Sequence, residues 1–182
     1  MRGASAERLF VAVPLTERAR QEINAGLPTL PGRLVPPQNW HFTLRFLGDT
    51  EPQLRDRLIA ELREARLGSA FSIRFRGLGA FPRPKRARIM WLGVDEGAGR
   101  LISVAESVES AVRRAGFPVE ERPFKPHLTL SRVEPTRSVA DVLAGGSQLS
   151  VQMPVNELVL VRSRLGKGPA QYENLETFAL ET

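Results

Sequence analysis

The 182-residue chain contains no cysteine. Disulfides, thiol catalysis and cysteine-ligated metals are thereby excluded. Histidine is almost as scarce, with two copies in the whole sequence. No apolar run approaches the roughly 20 residues that a membrane-crossing helix needs. The first apolar stretch, Leu9 to Val13, is too short for the core of an export signal, and no cleavage-like site follows it. A cytoplasmic protein without membrane contact is therefore expected. No linker and no low-complexity segment interrupts the chain. One domain over residues 1–182, built as two lobes, is the expected organisation, and a monomer the expected state. Nothing resembles the strand–turn–helix of a serine nucleophile elbow, which argues against a Ser-His-Asp hydrolase.

What is abundant is arginine. The formal net charge is +6. Guanidinium forks suit phosphates, and a basic surface attracts polyanions. An arginine-rich composition can equally reflect the base composition of a genome, so charge alone does not name a partner.

The two histidines open the same phrase. Residues 41 to 44 read His41-Phe42-Thr43-Leu44, and residues 127 to 130 read His127-Leu128-Thr129-Leu130. Side chains two apart on a β-strand share a face. Each phrase thus puts His and Thr on one face and two apolar residues on the other, a strand with a core behind it and a polar cleft in front. A lone strand histidine is usually a surface or satisfied core residue. Both histidines in the same phrase, about half a chain length apart, suggest an acid–base pair built by duplication. Imidazole gives and takes protons near neutrality, hydroxyls and arginines can hold an anion, and in-line displacement at phosphorus needs a base on one side and an acid on the other. Metal binding is the rival use of paired histidines. There is no third His, no Cys, and no Asp or Glu four residues beyond either His, so neither metal nor cofactor is expected.

Taken in order, Arg8 to Leu15 reads as a buried strand and Glu17 to about Ala25 as a helix capped by Thr16. Leu27 to Gln38 carries four prolines and reads as a loop. The first His strand spans Trp40 to Leu47. A helix from Thr50-Glu51-Pro52 to about Leu67 shows Leu54, Leu58, Leu62 and Ala65 on one face. Phe71 to Leu78 and Ala87 to Val94 read as a hairpin, and Gly99 to Ala115 as a helix stopped by Gly116. The second His strand spans His127 to Val133, with Glu134-Pro135 expected to break it. A helical turn near Ser138 to Leu143 precedes strands at Ser150 to Val155, Glu157 to Ser163 and Tyr172 to Leu180. The expected class is α+β: a bilobal duplicated fold, two mainly antiparallel sheets facing each other across a central cleft, helices on the outer faces.

These motifs resemble the two-histidine phosphoesterase superfamily. Within it the chain is most similar to the RNA 2′,3′-cyclic phosphodiesterases, also called 2′-5′ RNA ligases. The resemblance runs nearly end to end: Arg8-Leu9-Phe10-Val11-Ala12-Val13, His41 through Gly48, Arg122 through Arg132, and a tail with Ser163, Gly168, Tyr172, Leu175 and Phe178-Ala179-Leu180. It implies metal-free hydrolysis of an RNA 2′,3′-cyclic phosphate to a 2′-phosphate, with a reversible 2′-5′ joining of RNA ends. It implies His41 as proton donor, His127 as proton acceptor, and Thr43 and Thr129 on the phosphate oxygens. RNA is then the expected partner, with nucleotides as candidates for the same cleft. Residues alone do not say which histidine is acid and which is base.

Five residues past each His the copies differ, with Phe46 in one and Arg132 in the other. The resemblance makes Phe46 a base-stacking aromatic and Arg132 a phosphate contact. Strict alternation puts both on the face opposite each His, so the strands must bulge or twist for either to reach the cleft. Core packing for Phe46 and a solvated Arg132 are the alternatives. Arg45 shares the His41 face by alternation. Lys125, two residues before His127, is a candidate substrate contact. Arg83, Lys85, Arg86 and Arg88 read either as an RNA backbone contact or as a solvated hairpin tip. Trp40, Phe81 and Tyr172 could stack on bases or serve structure. Two other functions fit the same residues: a phosphodiesterase acting on another cyclic nucleotide or an ADP-ribose-type substrate, and a non-catalytic RNA-binding module.

Overall fold

The computed structural model describes residues 5–145 and 147–182. Residues 1–4 of the segment leading into the first strand lie outside them. The elements run β1 (Glu7–Pro14), α1 (Glu17–Gly26), β2 (Arg33–Leu34), β3 (His41–Thr50), α2 (Pro52–Glu64), β4 (Phe71–Phe81), β5 (Ala87–Glu96), α3 (Ala98–Ala115), β6 (Leu128–Arg137), α4 (Ala140–Ala144), β7 (Ser150–Val155), β8 (Glu157–Arg164) and β9 (Gln171–Ala179). Local chemistry sets most of these bounds. The Thr16 hydroxyl accepts from the Ala19 N–H and caps α1. Pro52 opens α2 where its missing N–H costs nothing. Gly116, in the left-handed region, closes α3.

Two antiparallel sheets result, ordered β3-β1-β8-β9 and β2-β6-β5-β4-β7. Each His phrase is associated with a different sheet. The strand carrying it pairs with a strand it follows through a helix, β3 with β1 through α1 and β6 with β5 through α3. The halves then exchange strands. β4 leaves the first half to pair with β5, and β8 leaves the second half to pair with β1. Neither sheet can be completed from one half of the chain.

The main core cluster joins both sheets to α1, α2 and α3, and two smaller clusters stand apart from it. Phe42 of β3 stacks on Phe75 of β4 at 5.4 Å between ring centroids. Leu9, Leu92 and Leu128 from the sheets join Leu58, Leu62, Leu101 and Val108 from α2 and α3. The apolar members of both His phrases belong to it: Phe42, Leu44, Leu128 and Leu130 are all buried. Burying each is worth about 1.5–3 kcal/mol, so the four together rival a whole domain's stability. A one-residue register slip would expose them and drive His and Thr into the core.

Several sequence expectations are corrected. β6 does not break at Glu134-Pro135. It resumes to Arg137, because the register jumps from Ile89↔Arg132 to Ala87↔Arg137 and the proline falls in the looped-out stretch, where no ladder N–H is required. The 27–38 loop contains β2 and a turn of 3₁₀ helix at Pro37–Asn39. His127 stands just ahead of its strand, and α2 stops at Glu64 with Ala65 as its C-cap.

Candidate active site

The same device orients both imidazoles. His41 Nδ1 lies 2.7 Å from the Asn39 carbonyl oxygen, and His127 Nδ1 lies 2.6 Å from that of Lys125. A carbonyl oxygen only accepts, so Nδ1 carries the proton in both rings. Nε2 is thereby left as the working nitrogen in each. At His41 it meets the Thr43 hydroxyl at 2.9 Å, so the Thr43 O–H donates to the neutral ring.

The surroundings of the two rings differ. His41 stacks on Phe10, with centroids 4.7 Å apart and planes 25° from parallel, and takes the edge of Tyr172 at 5.3 Å. Burial between these rings lowers the His41 pKa, and the bond to Asn39 only partly restores it. His127 takes the edge of Phe81 at 5.0 Å. Burial raises the Tyr172 pKa, against the pull of Arg132 and Arg8, so the phenol keeps its proton at neutral pH. Arg132 sits on the other sheet, in β6.

Both His strands bulge at the fourth residue of the phrase. The β1–β3 register passes from Ala12↔Thr43 to Val11↔Arg45, skipping Leu44. The β5–β6 register passes from Trp91↔Thr129 to Met90↔Ser131, skipping Leu130. Each skip inverts the parity beyond it. Phe46 therefore lies opposite Phe10, which stacks on His41, and Arg132 opposite Ile89 on the Thr129 side. The expected bulge is present twice, and Phe46 is a cleft residue, not a core one; Arg8 packs over its ring at 4.7 Å. The same skip overturns the expected placement of Arg45. Its guanidinium turns toward α3, 2.7 Å from Glu109, and donates to the Pro118 carbonyl.

A cleft of about 490 Å³ draws the two walls together, with Thr43 and Phe46 on one side and Phe81, Lys125 and His127 on the other. That volume suits a nucleotide-sized ligand. The segment before β3 is tied to β6 and to the residue that leads into β9. Val35 N donates to the Leu130 oxygen inside the second phrase, and the Asn39 amide donates to the Ala170 oxygen. Trp40 is buried and its indole N–H donates to the Val35 oxygen at 3.0 Å, so it braces this segment and is unavailable to a base. Arg83, Lys85, Arg86 and Arg88 are exposed and make no ion pair among the described residues. Arg8 and Phe10 were not legible as site residues, because an all-apolar strand shows no alternation from which to read a face. Among the described residues no group of three or more His, Asp or Glu side chains could hold a metal ion, and no helix is long and apolar enough to cross a membrane.

Two antiparallel sheets that each bring a His-x-Thr strand to a shared cleft define a two-histidine phosphoesterase architecture. A model of the 2′-5′ RNA ligase superfamily matches residues 15–167, and the chain belongs to that superfamily. It is 37% identical to an RNA 2′,3′-cyclic phosphodiesterase of Archaeoglobus fulgidus, over 94% of this chain and 99% of that one. It is 39% identical to one of Thermus thermophilus, over 95% and 90%. Among solved structures, the protein TT0787 of Thermus thermophilus superposes with a TM-score of 0.78 at 32% identity, covering 95% of this chain and 97% of that one. E. coli LigT complexed with 3′-AMP superposes with a TM-score of 0.77 at 27% identity, covering 97% and 99%.

Proposed function

We propose that this chain hydrolyses RNA 2′,3′-cyclic phosphate ends to 2′-phosphomonoesters, with His41 and His127 as its acid–base pair. The observation that carries the reading is the repeated backbone bond at Nδ1, which leaves Nε2 of each ring free to exchange protons. His127 Nε2 takes a proton from water, whose oxygen attacks phosphorus. The bond to the 3′ oxygen breaks, and His41 Nε2 returns a proton to that oxygen. Burial keeps His41 neutral in the free protein, and the negative charge of a bound phosphate favours its protonated form, so the donor is loaded with the substrate. Thr43 and Thr129 hold the non-bridging oxygens, with Arg132 opposing the charge that builds on them and Lys125 near His127. Phe46 stacks on the terminal base, its ring backed by Arg8. With a 5′-hydroxyl in place of water, the same proton transfers join RNA ends: the 5′ oxygen attacks phosphorus, the bond to the 3′ oxygen breaks, and a 2′-5′ linkage remains. Nucleotides enter the same cleft, as the 3′-AMP complex of LigT supports.

The test is turnover of a short RNA bearing a 2′,3′-cyclic phosphate, in EDTA, by wild type, His41→Ala and His127→Ala. Wild type should yield a 2′-phosphate, and each variant should lose about 10²–10⁴-fold in rate. A 3′-phosphate product, or variants as fast as wild type, would overturn the assignment. Turnover confined to small cyclic nucleotides would point to the other phosphodiesterase chemistry. RNA binding without turnover would leave a binding module.

A further inference from the structure

Resting on that reading of the reaction, we infer that Arg33 extends the phosphate-facing edge begun by Arg132 and recognises the phosphodiester upstream of the cyclic end. The two arginines are direct cross-strand partners in the β2–β6 ladder. Partners directly opposite share a face, with Cβ atoms about 5 Å apart, and like charges so placed repel. Neither side chain makes an ion pair among the described residues, whereas Arg45, Arg55, Arg74 and Arg162 each hold at least one carboxylate. A repelling pair without a carboxylate is relieved by an anion between them.

The strand that carries Arg33 is held in place by dedicated chemistry. Gly32 sits at φ +87°, and a Cβ there would collide with the backbone carbonyl of Arg132. The Ser131 hydroxyl, fully buried, donates to the Pro31 carbonyl. Val35 N donates to the Leu130 oxygen on the other flank. A two-residue strand anchored at both ends serves to fix what it displays, and what it displays is Arg33 on the Thr129 side of β6. The turn before β5 carries four further exposed cations, Arg83, Lys85, Arg86 and Arg88. A terminal cyclic phosphate fills the His–Thr centre, and the next phosphodiester along the strand is the anion that meets Arg33. A mononucleotide has no such group, so Arg33 is a specificity residue for oligonucleotide ends.

The experiment compares wild type, Arg33→Ala and Arg33→Lys on an RNA trinucleotide with a 2′,3′-cyclic end and on a 2′,3′-cyclic mononucleotide. The ratio of kcat/KM, trinucleotide over mononucleotide, should fall about tenfold in Arg33→Ala and partly recover in Arg33→Lys. In parallel, binding of the 2′-phosphate trinucleotide is followed against salt. The slope of log affinity against log salt should shrink by about 0.7 in Arg33→Ala, the value of one single-strand phosphate contact. An unchanged ratio together with an unchanged salt slope would discard the site. If wild type turned over neither substrate, the reaction assignment would fall while the salt-slope comparison still decided Arg33.

Discussion

Replacing Tyr172 by alanine separates the two histidines by role. His41 is sandwiched between the face of Phe10 and the edge of Tyr172, and burial there lowers its pKa. Removing the phenol lets water reach the imidazolium, while the Nδ1 bond to Asn39, which favours protonation, stays. The His41 pKa must then climb back toward its ordinary 6.5. The structural cost is modest. Tyr172 makes two aromatic edge contacts, at 5.3 Å to His41 and 5.1 Å to Phe10, each worth about 0.5–1.5 kcal/mol, and it is 37% exposed. A loss of about 1–3 kcal/mol should lower Tm by roughly 2–12 °C and leave the protein folded. The pH dependence changes as well. A histidine whose folded pKa lies below its unfolded one has no effect on stability well above pH 6.5, and destabilises increasingly as pH falls from there toward the folded pKa. That part of the acid lability should shrink in the variant. NMR titration reads the ring directly, and His127→Ala assigns the two histidine signals. The profile of kcat/KM against pH then identifies the role, because a donor sets the alkaline limb and an acceptor the acid limb. The alkaline limb should move to higher pH. A His41 that titrates at the same or lower pH in Tyr172→Ala would refute the burial account, and movement of the acid limb alone would exchange the two roles.

Arg45→Ala should cost about 3 kcal/mol, the lower end for breaking a buried pair, because Arg45 is 11% exposed and Glu109 only 23%. A double-mutant cycle with Glu109→Gln, followed by urea denaturation, checks it; coupling near zero would show the pair to be inert. Gly79→Ala should lose about 1–3 kcal/mol, since a Cβ there meets the ring of Trp91, which stands against Phe81 on the cleft wall. Thermal denaturation measures this, and an unchanged Tm would mean that the ring moves aside freely.

Legibility followed local physics. The strand Ser150–Val155 was readable because its residues alternate between exposed and buried. Helices α1 and α3 were readable from Thr16, Gly116 and an apolar stripe. The two faces of each phrase are readable from period-two alternation: Phe42, Leu44, Leu128 and Leu130 are buried, and Thr43 and His127 line the cleft. Beyond the fourth residue of each phrase parity no longer helps: the skip inverts the face of Arg45, brings Phe46 to the cleft lining, and puts Arg132 on the Thr129 side of β6. A bulge is selected by ladder pairing with β1 and β5, strands distant in sequence. Pro135 misled for the same reason, since a proline ends a strand only where the ladder needs its N–H.

By itself, then, the sequence determined most of the elements, the α+β class, and the repeated His-x-Thr pair with its apolar backing, because these depend on neighbours a few residues apart. Only the tertiary structure decided that each half of the chain completes the other's sheet. It alone set Phe10 and Tyr172 around His41, paired Arg45 with Glu109 of α3, and brought Arg33 beside Arg132. Those outcomes rest on pairings between segments far apart in the chain, and no local pattern encodes a contact whose other partner is a hundred residues away.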